Sequence, residues 1–212
     1  MPNLILCIGD KNLSSWSMRP WIALEQSGIP FEEVLIRLKQ DDTRESILKH
    51  SPSGRVPSLK HGDLLIWDSL AILEYLAETF PSARLWPQAP DARAYARTIC
   101  AEMHSGFLAM RTQLPLNSST KKPCPELTEA TREDLKRIEE LWRECRQKYG
   151  ASGPLLFGNF TSADAFFAPV VLRLENYSVE VGECTRAYMK SVLELSSVRK
   201  WIAGAKAEVG KA

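Results

Sequence analysis

Ser51-Pro52-Ser53-Gly54-Arg55-Val56-Pro57-Ser58-Leu59, followed shortly by Leu64-Leu65-Ile66-Trp67-Asp68-Ser69-Leu70-Ala71-Ile72-Leu73-Glu74-Tyr75-Leu76, decides the fold of this chain. It reads as a turn, a strand, a second strand and a helix that opens on Asp-Ser. Proline has no N–H and a fixed φ, so Val56-Pro57 at a strand entrance leaves main-chain donors and acceptors for a ligand. The first N–H groups of a helix are unpaired, so Asp68-Ser69 marks a place for a carboxylate. Together these features suggest a site that grips a small peptide-like anion.

Upstream, residues 4–8 are apolar and end at Gly9-Asp10, the pattern of a short buried strand. The loop 11–17 is polar apart from Leu13 and Trp16. A helix follows, with Trp21, Ile22 and Leu24 inward, and stops at Gly28. Pro20 limits where that helix begins, because proline is harmless only in the first turn. With Ser17 as N-cap, Ser14 and Ser15 stay in the loop with uncommitted hydroxyls. Alternation at Phe31, Val34, Ile36 and Leu38 predicts a strand over 31–38, and 41–48 reads as a short polar helix. Residues 58–60 and 64–67 form a hairpin across His61-Gly62-Asp63. A helix over 69–80 carries Leu70, Leu73, Leu76, Ala77 and Phe80 on one stripe.

After Pro81 the texture changes. Pro87 and Pro90 punctuate a connector, and no strand is visible beyond it. Residues 91–114 read as one helix with Tyr95, Ile99, Met103 and Met110 inward, stopped by Pro115. Leu135, Ile138, Trp142, Cys145 and Tyr149 recur at helical spacing over 128–149, and further helices cover 185–195 and 198–207. Thr161-Ser162-Ala163-Asp164 has the form of a reciprocal capping box, and Pro169 in the same helix predicts a local kink. The expectation is an α/β N-terminal domain over 1–81, a linker over 82–90 and an all-helical domain over 91–212.

Composition narrows the chemistry. With 212 residues the chain can bury a sizeable core. A formal net charge of +1 and no basic stripe argue against a nucleic-acid partner. Lys200, Lys206 and Lys211 are scattered among apolar residues and read as a solvated helix face. No apolar run approaches a membrane span, and no targeting segment is visible. Cys7, Cys100, Cys124, Cys145 and Cys184 are odd in number and lack a C-x-x-C pair, which suits reduced thiols in the cytoplasm. Cys7 reads as a buried strand residue and Cys124, between two prolines, as exposed. His50, His61 and His104 have no metal-ligand spacing, so no metal is expected. Phosphate-binding glycine loops, zinc-protease helices and nucleophile elbows are absent.

Three segments carry a resemblance to the glutathione transferase family. Asn12-Leu13-Ser14-Ser15-Trp16-Ser17-Met18-Arg19-Pro20-Trp21 resembles the serine-bearing loop of zeta-like and related bacterial members. Gly54-Arg55-Val56-Pro57 resembles the family's Val-cis-Pro turn, and Asp68-Ser69 its acidic-Ser pair. Gly158-Asn159-Phe160-Thr161-Ser162-Ala163-Asp164 looks like its buried helix start. The resemblance implies a thioredoxin-like N-terminal domain, a helical bundle and a homodimer, with glutathione as co-substrate and a small electrophile or peroxide as its partner.

On that resemblance each residue acquires an expected role and a plainer alternative. A free thiol has a pKa of ~8.5, and lowering it by two units takes about 2.7 kcal/mol. Ser14 or Ser15 would supply part of this as a hydroxyl donor, and the helix N-terminus more; otherwise both are cap or turn residues. Val56, held by Pro57, would bind the cysteinyl backbone through its N–H and C=O. Asp68 and Ser69 would hold the γ-glutamyl end; by themselves they make an ordinary N-cap. Lys39 and Gln40 are candidates for the glycine end, or are solvated loop residues. Trp16, Met103, His104, Phe107 and Arg111 would line the second-substrate pocket, with His104 and Arg111 facing a polar or acidic electrophile. Met103 and Phe107 equally suit the core. Trp16 stands where the zeta pattern has cysteine, which weakens a glutathione-dependent isomerase reading. A non-catalytic binding or regulatory protein of the same fold is the other alternative.

Overall fold

A computed structural model of the chain describes residues 3–210; Lys211 lies outside them. The N-terminal part runs β1 (Leu4–Gly9), α1 (Ser15–Ser27), β2 (Glu32–Ile36), α2 (Thr43–Leu48), β3 (Ser58–His61), β4 (Leu64–Trp67) and α3 (Ser69–Thr79). The strands form one sheet in the order β2-β1-β3-β4. β1 pairs parallel with β2, Cys7 opposite Val34, and antiparallel with β3, Leu6 opposite Leu59. An apolar β1 suits the central position because both its faces are covered. Leu4, Leu6 and Ile8 join the main core, while Cys7 faces a small cluster with Ile36 and Ile47. Burial there pushes the Cys7 thiol up to about 11. Cys124 is exposed, as its flanking prolines suggest.

The remainder is helical: α4 (Pro90–Ser105), α5 (Leu108–Gln113), α6 (Glu129–Tyr149), α7 (Ser162–Asn176), α8 (Glu183–Glu194) and α9 (Ser196–Val209). One hydrophobic core runs from Leu4 to Trp201 through both parts. α7 sits at its centre, packed on α1, α4 and α8, and continues unbroken through Pro169.

Two expectations need correction. The helix read over 91–114 is two helices. Gly106 is extended and Phe107 takes a left-handed conformation, φ 60°, with its ring buried. Arg111 closes the end of α4 by donating to the Gly106 carbonyl at 3.1 Å and to the Met103 carbonyl. Asp134 of α6 receives the Met110 N–H at 2.9 Å at the start of α5. Groups distant in sequence therefore satisfy a break that helical periodicity passes over. The second correction concerns α1. Its N-cap is Ser14, not Ser17, so Ser15 is already helical and Pro20 lies in the second turn. Ser17 is drawn inward to accept the Gly9 N–H at 3.1 Å, which ties the end of β1 to the helix.

The capping box forms at α7. Asp164, wholly buried, accepts from Thr161 N (2.8 Å), Thr161 Oγ1 (3.1 Å), Leu156 N (3.1 Å) and Tyr188 Oη (3.2 Å). Those donors favour the carboxylate, yet burial outweighs them and pushes its pKa up to about 6. Replacing Asp164 with Ala strands buried donors in addition to removing a cap. The expected loss is at least about 3 kcal/mol, read as a lower denaturant midpoint at unchanged slope. A loss below about 1 kcal/mol contradicts this role.

Candidate functional site

A cavity of about 670 Å³ opens between the two parts. Ser53, Arg55, Val56 and Pro57 supply one wall from the turn before β3, and Trp67, Asp68 and Ser69 another. Trp16 of α1 and His104 of α4 complete it. The Val56–Pro57 peptide is cis. The Val56 N–H and C=O have no hydrogen-bond partner among the described residues, so this edge can accept an extended peptide.

Asp68 and Ser69 sit where α3 begins. Asp68 adopts φ 78°, which turns its carboxylate back over the helix end. Its Oδ1 accepts the Leu70 N–H at 2.8 Å and the Ala71 N–H at 3.4 Å; its Oδ2 lies 3.0 Å from His104 Nε2. The Ser69 hydroxyl accepts from Arg19 Nη1 at 3.2 Å. Arg19 is only 1% exposed, its guanidinium 4.2 Å from the Trp16 ring centroid and 4.3 Å from that of Phe166. Burial and the neighbouring Arg111 lower its pKa, though a guanidinium keeps its proton in proteins. Its Nε has no partner among the described residues. Burial and the charges of Arg19 and Arg111 also lower His104, against the pull of Asp68. The lowered pKa favours the uncharged imidazole, with Nε2 3.0 Å from Asp68 Oδ2.

The loop between β1 and α1 is pinned from several sides. The Lys11 N–H donates to Glu208 Oε2 at 2.8 Å, and its ammonium pairs with Glu33 beside Trp21 and Trp201. The Asn12 side chain receives the Ser119 N–H at 3.0 Å. Ser14 and Ser15 follow, both nearly buried. Neither lines the cavity, but Trp16, the next residue, does. Ser15 Oγ accepts from Arg173 Nη2 at 3.3 Å.

The structure brings Val56, Pro57, Asp68, Ser69, Trp16 and His104 to one cavity. Lys39 and Gln40 instead border a separate hollow of about 470 Å³, shared with Asp10, Asn12 and Leu13. Met103 and Phe107 are buried in the core. Arg111 lies behind Trp16, 4.8 Å from its ring centroid. Sequence reasoning passed over Ser53, Arg55 and Trp67 at the cavity and Arg19 and Arg173 beneath it. Arg173 carried a usable signal, as the sole cation in the apolar run from Phe166 to Leu174. Among the described residues no cluster of three or more His, Cys, Asp or Glu suits a metal, and no helix is long and apolar enough to cross a membrane.

Known proteins resemble this chain throughout. A family model of the glutathione S-transferase N-terminal domain matches residues 13–79. Maleylacetoacetate isomerase of Rattus norvegicus is 33% identical over 172 residues, 79% of this chain and 77% of that protein. Glutathione S-transferase 1 of Dianthus caryophyllus is 30% identical over 179 residues, 81% of this chain and 79% of its own. In fold, the chain superposes on a Burkholderia glutathione transferase homolog crystallised with glutathione. That match has a TM-score of 0.73 at 23% identity, over 97% of this chain and 98% of that one. A matching domain model and relatives at this level along most of the sequence lead to one conclusion: the chain belongs to the glutathione S-transferase family.

Proposed function

We propose that this protein is a glutathione transferase that binds the tripeptide in the cavity at Val56 and Ser69 and presents its sulfur as thiolate to a small electrophile. The observation that carries this reading is the unpaired Val56 main chain facing an anion site whose hydroxyl is backed by a buried guanidinium. The Val56 N–H donates to the cysteinyl carbonyl and its C=O accepts the cysteinyl N–H. The Ser69 N–H and hydroxyl donate to the γ-glutamyl carboxylate, with the charge of Arg19 behind them. Asp68 Oδ2 accepts the ammonium of the same end in exchange for His104. Arg55, at the cavity wall, is better sited for the glycine carboxylate than Lys39 or Gln40.

A hydroxyl of the Ser14-Ser15 pair and the N-terminus of α1 stabilise the thiolate. The sulfur then forms a bond to the electrophilic carbon while the leaving group departs with the bonding electrons. Trp16 and His104 border the space for that second substrate. The likeness to the rat isomerase supports a second reading, glutathione-dependent isomerisation, in which the same thiolate adds to a double bond and later leaves. We also propose a homodimer working in the cytoplasm. The half-exposed Leu48, Leu64 and Trp67 support an interface, and the free cysteines a reducing compartment.

Three outcomes are expected. Without a second substrate, thiolate absorbance should place the bound thiol about two units below its free value of ~8.5, and an added aryl halide should then be turned over. Binding without turnover across aryl halides, peroxides and cis-alkenoic acids favours a non-catalytic protein instead. Ser69→Ala should weaken glutathione by about tenfold or more in calorimetry, the loss of one hydrogen bond to a charged group; an unchanged affinity removes Ser69 from the site. Lowering pH should protonate His104 and strengthen its hold on Asp68 against the incoming ammonium. Because its pKa is lowered, affinity should fall only below the ordinary imidazole value of ~6.5, and His104→Gln should abolish that step.

A further inference from the structure

Ser14 and Ser15 differ in how their hydroxyls are used. Ser14 donates to Ser17 Oγ at 2.8 Å and accepts the Ser17 N–H at 3.3 Å. Its oxygen caps the helix and its proton is given to Ser17 Oγ. Ser15 Oγ accepts from Arg173 Nη2 at 3.3 Å, and its own O–H has no acceptor among the described residues. A hydroxyl that accepts from a cation is a stronger donor through its remaining hydrogen.

Arg173 is held for this task. Its Nε donates to the Leu114 carbonyl at 2.9 Å and its Nη1 to the Pro169 carbonyl at 3.3 Å, which leaves Nη2 aimed at Ser15. It is nearly buried, and the three acceptors it meets among the described residues are all neutral oxygens. Arg19 and Arg111, both stacked on Trp16, likewise bond only neutral acceptors. A buried cation without a carboxylate is costly; the buried Arg19 and Arg173 and the half-buried Arg111 all lie against Ser15 or Trp16 and leave a positive environment at the start of α1.

We propose that Arg173 is a positioning residue for thiol activation: it orients and polarises the hydroxyl of Ser15, the residue before the cavity-lining Trp16, and so makes Ser15, rather than Ser14, the donor to a glutathione thiolate that enters past Trp16. This rests on the reading that glutathione is activated at this site. The thiol proton leaves to solvent, Ser15 keeps its own proton, and no bond is made to the serine. The helical part of the chain thereby controls the acidity of a ligand held mainly by the N-terminal part.

The test is the pKa of the bound thiol, from thiolate absorbance, together with glutathione affinity below that pKa. It compares the wild type with S14A, S15A, R173M, R173K and S15A/R173M. S15A and R173M should each raise the bound pKa by about one unit or more, with affinity within about threefold. The double variant should match S15A alone, and R173K should recover part of the shift. A rise in S14A but not in S15A overturns the proposal, as does a further rise when R173M is added to S15A. Should R173M fail to fold, R173K in the wild-type and S15A backgrounds makes the same comparison. A wild type that binds no glutathione, or leaves its thiol at the solution value, overturns the functional reading itself. A lowered wild-type pKa that S15A and R173M leave untouched overturns only the activating role of Ser15 and Arg173.

Discussion

A helix buried on every side must satisfy each of its own charges inside the protein. α7 is such a helix, and its two buried charged groups organise what surrounds it. At its start Asp164 gathers Leu156, Thr161 and Tyr188, which joins the approach loop and α8 to the helix. One turn from its end Arg173 gathers Leu114, Pro169 and Ser15, which joins the segment after α5 and the first turn of α1. A buried polar group left unpaired loses its hydration without return. The positions of these neighbours are therefore tied to α7, and the serine-bearing turn inherits its place from a helix nearly the whole chain away.

The same logic runs across the junction between the two parts. Phe166 of α7 covers one face of the Arg19 guanidinium while Trp16 covers another, and Arg19 reaches through to Ser69. His104 of α4 meets Asp68 at the opposite rim. Glu208 of α9 holds the loop before α1 through Lys11. Arg19, Asp68 and the loop at Lys11 in the N-terminal part thus each have a support from the helical part. Either part alone would leave a charge or a hydroxyl unpartnered. The continuous core that joins them also holds the cavity open as a fixed shape between rigid elements.

Several of the least legible features were contests between a local rule and a distant partner. Pro20 argued for a cap at Ser17, because proline belongs in a first turn. The chain caps at Ser14 instead, since Ser17 is needed to hold Gly9. Helical spacing ran through Gly106 and Phe107, yet Arg111 and Asp134 satisfy a break there. That break withdraws Phe107 into the core and sets Arg111 behind Trp16, away from the shared face that an unbroken helix would have presented. Exposed positions such as Trp67 and Arg55 carried no periodic signal, because nothing local distinguishes a cavity wall from solvent.

The order of strands and helices through α3, the turn at Val56-Pro57, the cap at Asp68 and the box at Thr161 to Asp164 were all written in local sequence. Each follows from interactions within a few residues: hydrophobic period, the missing proline N–H, and side chains that cap their own helix. Which hydroxyl of Ser14 and Ser15 stays uncommitted, and which cations gather around Trp16, was settled only by tertiary structure. Those properties depend on partners far apart in the sequence, as with Arg111 and Trp16 or Arg173 and Ser15. A buried charge takes its meaning from the groups that replace its water, and those are known only once the chain is folded.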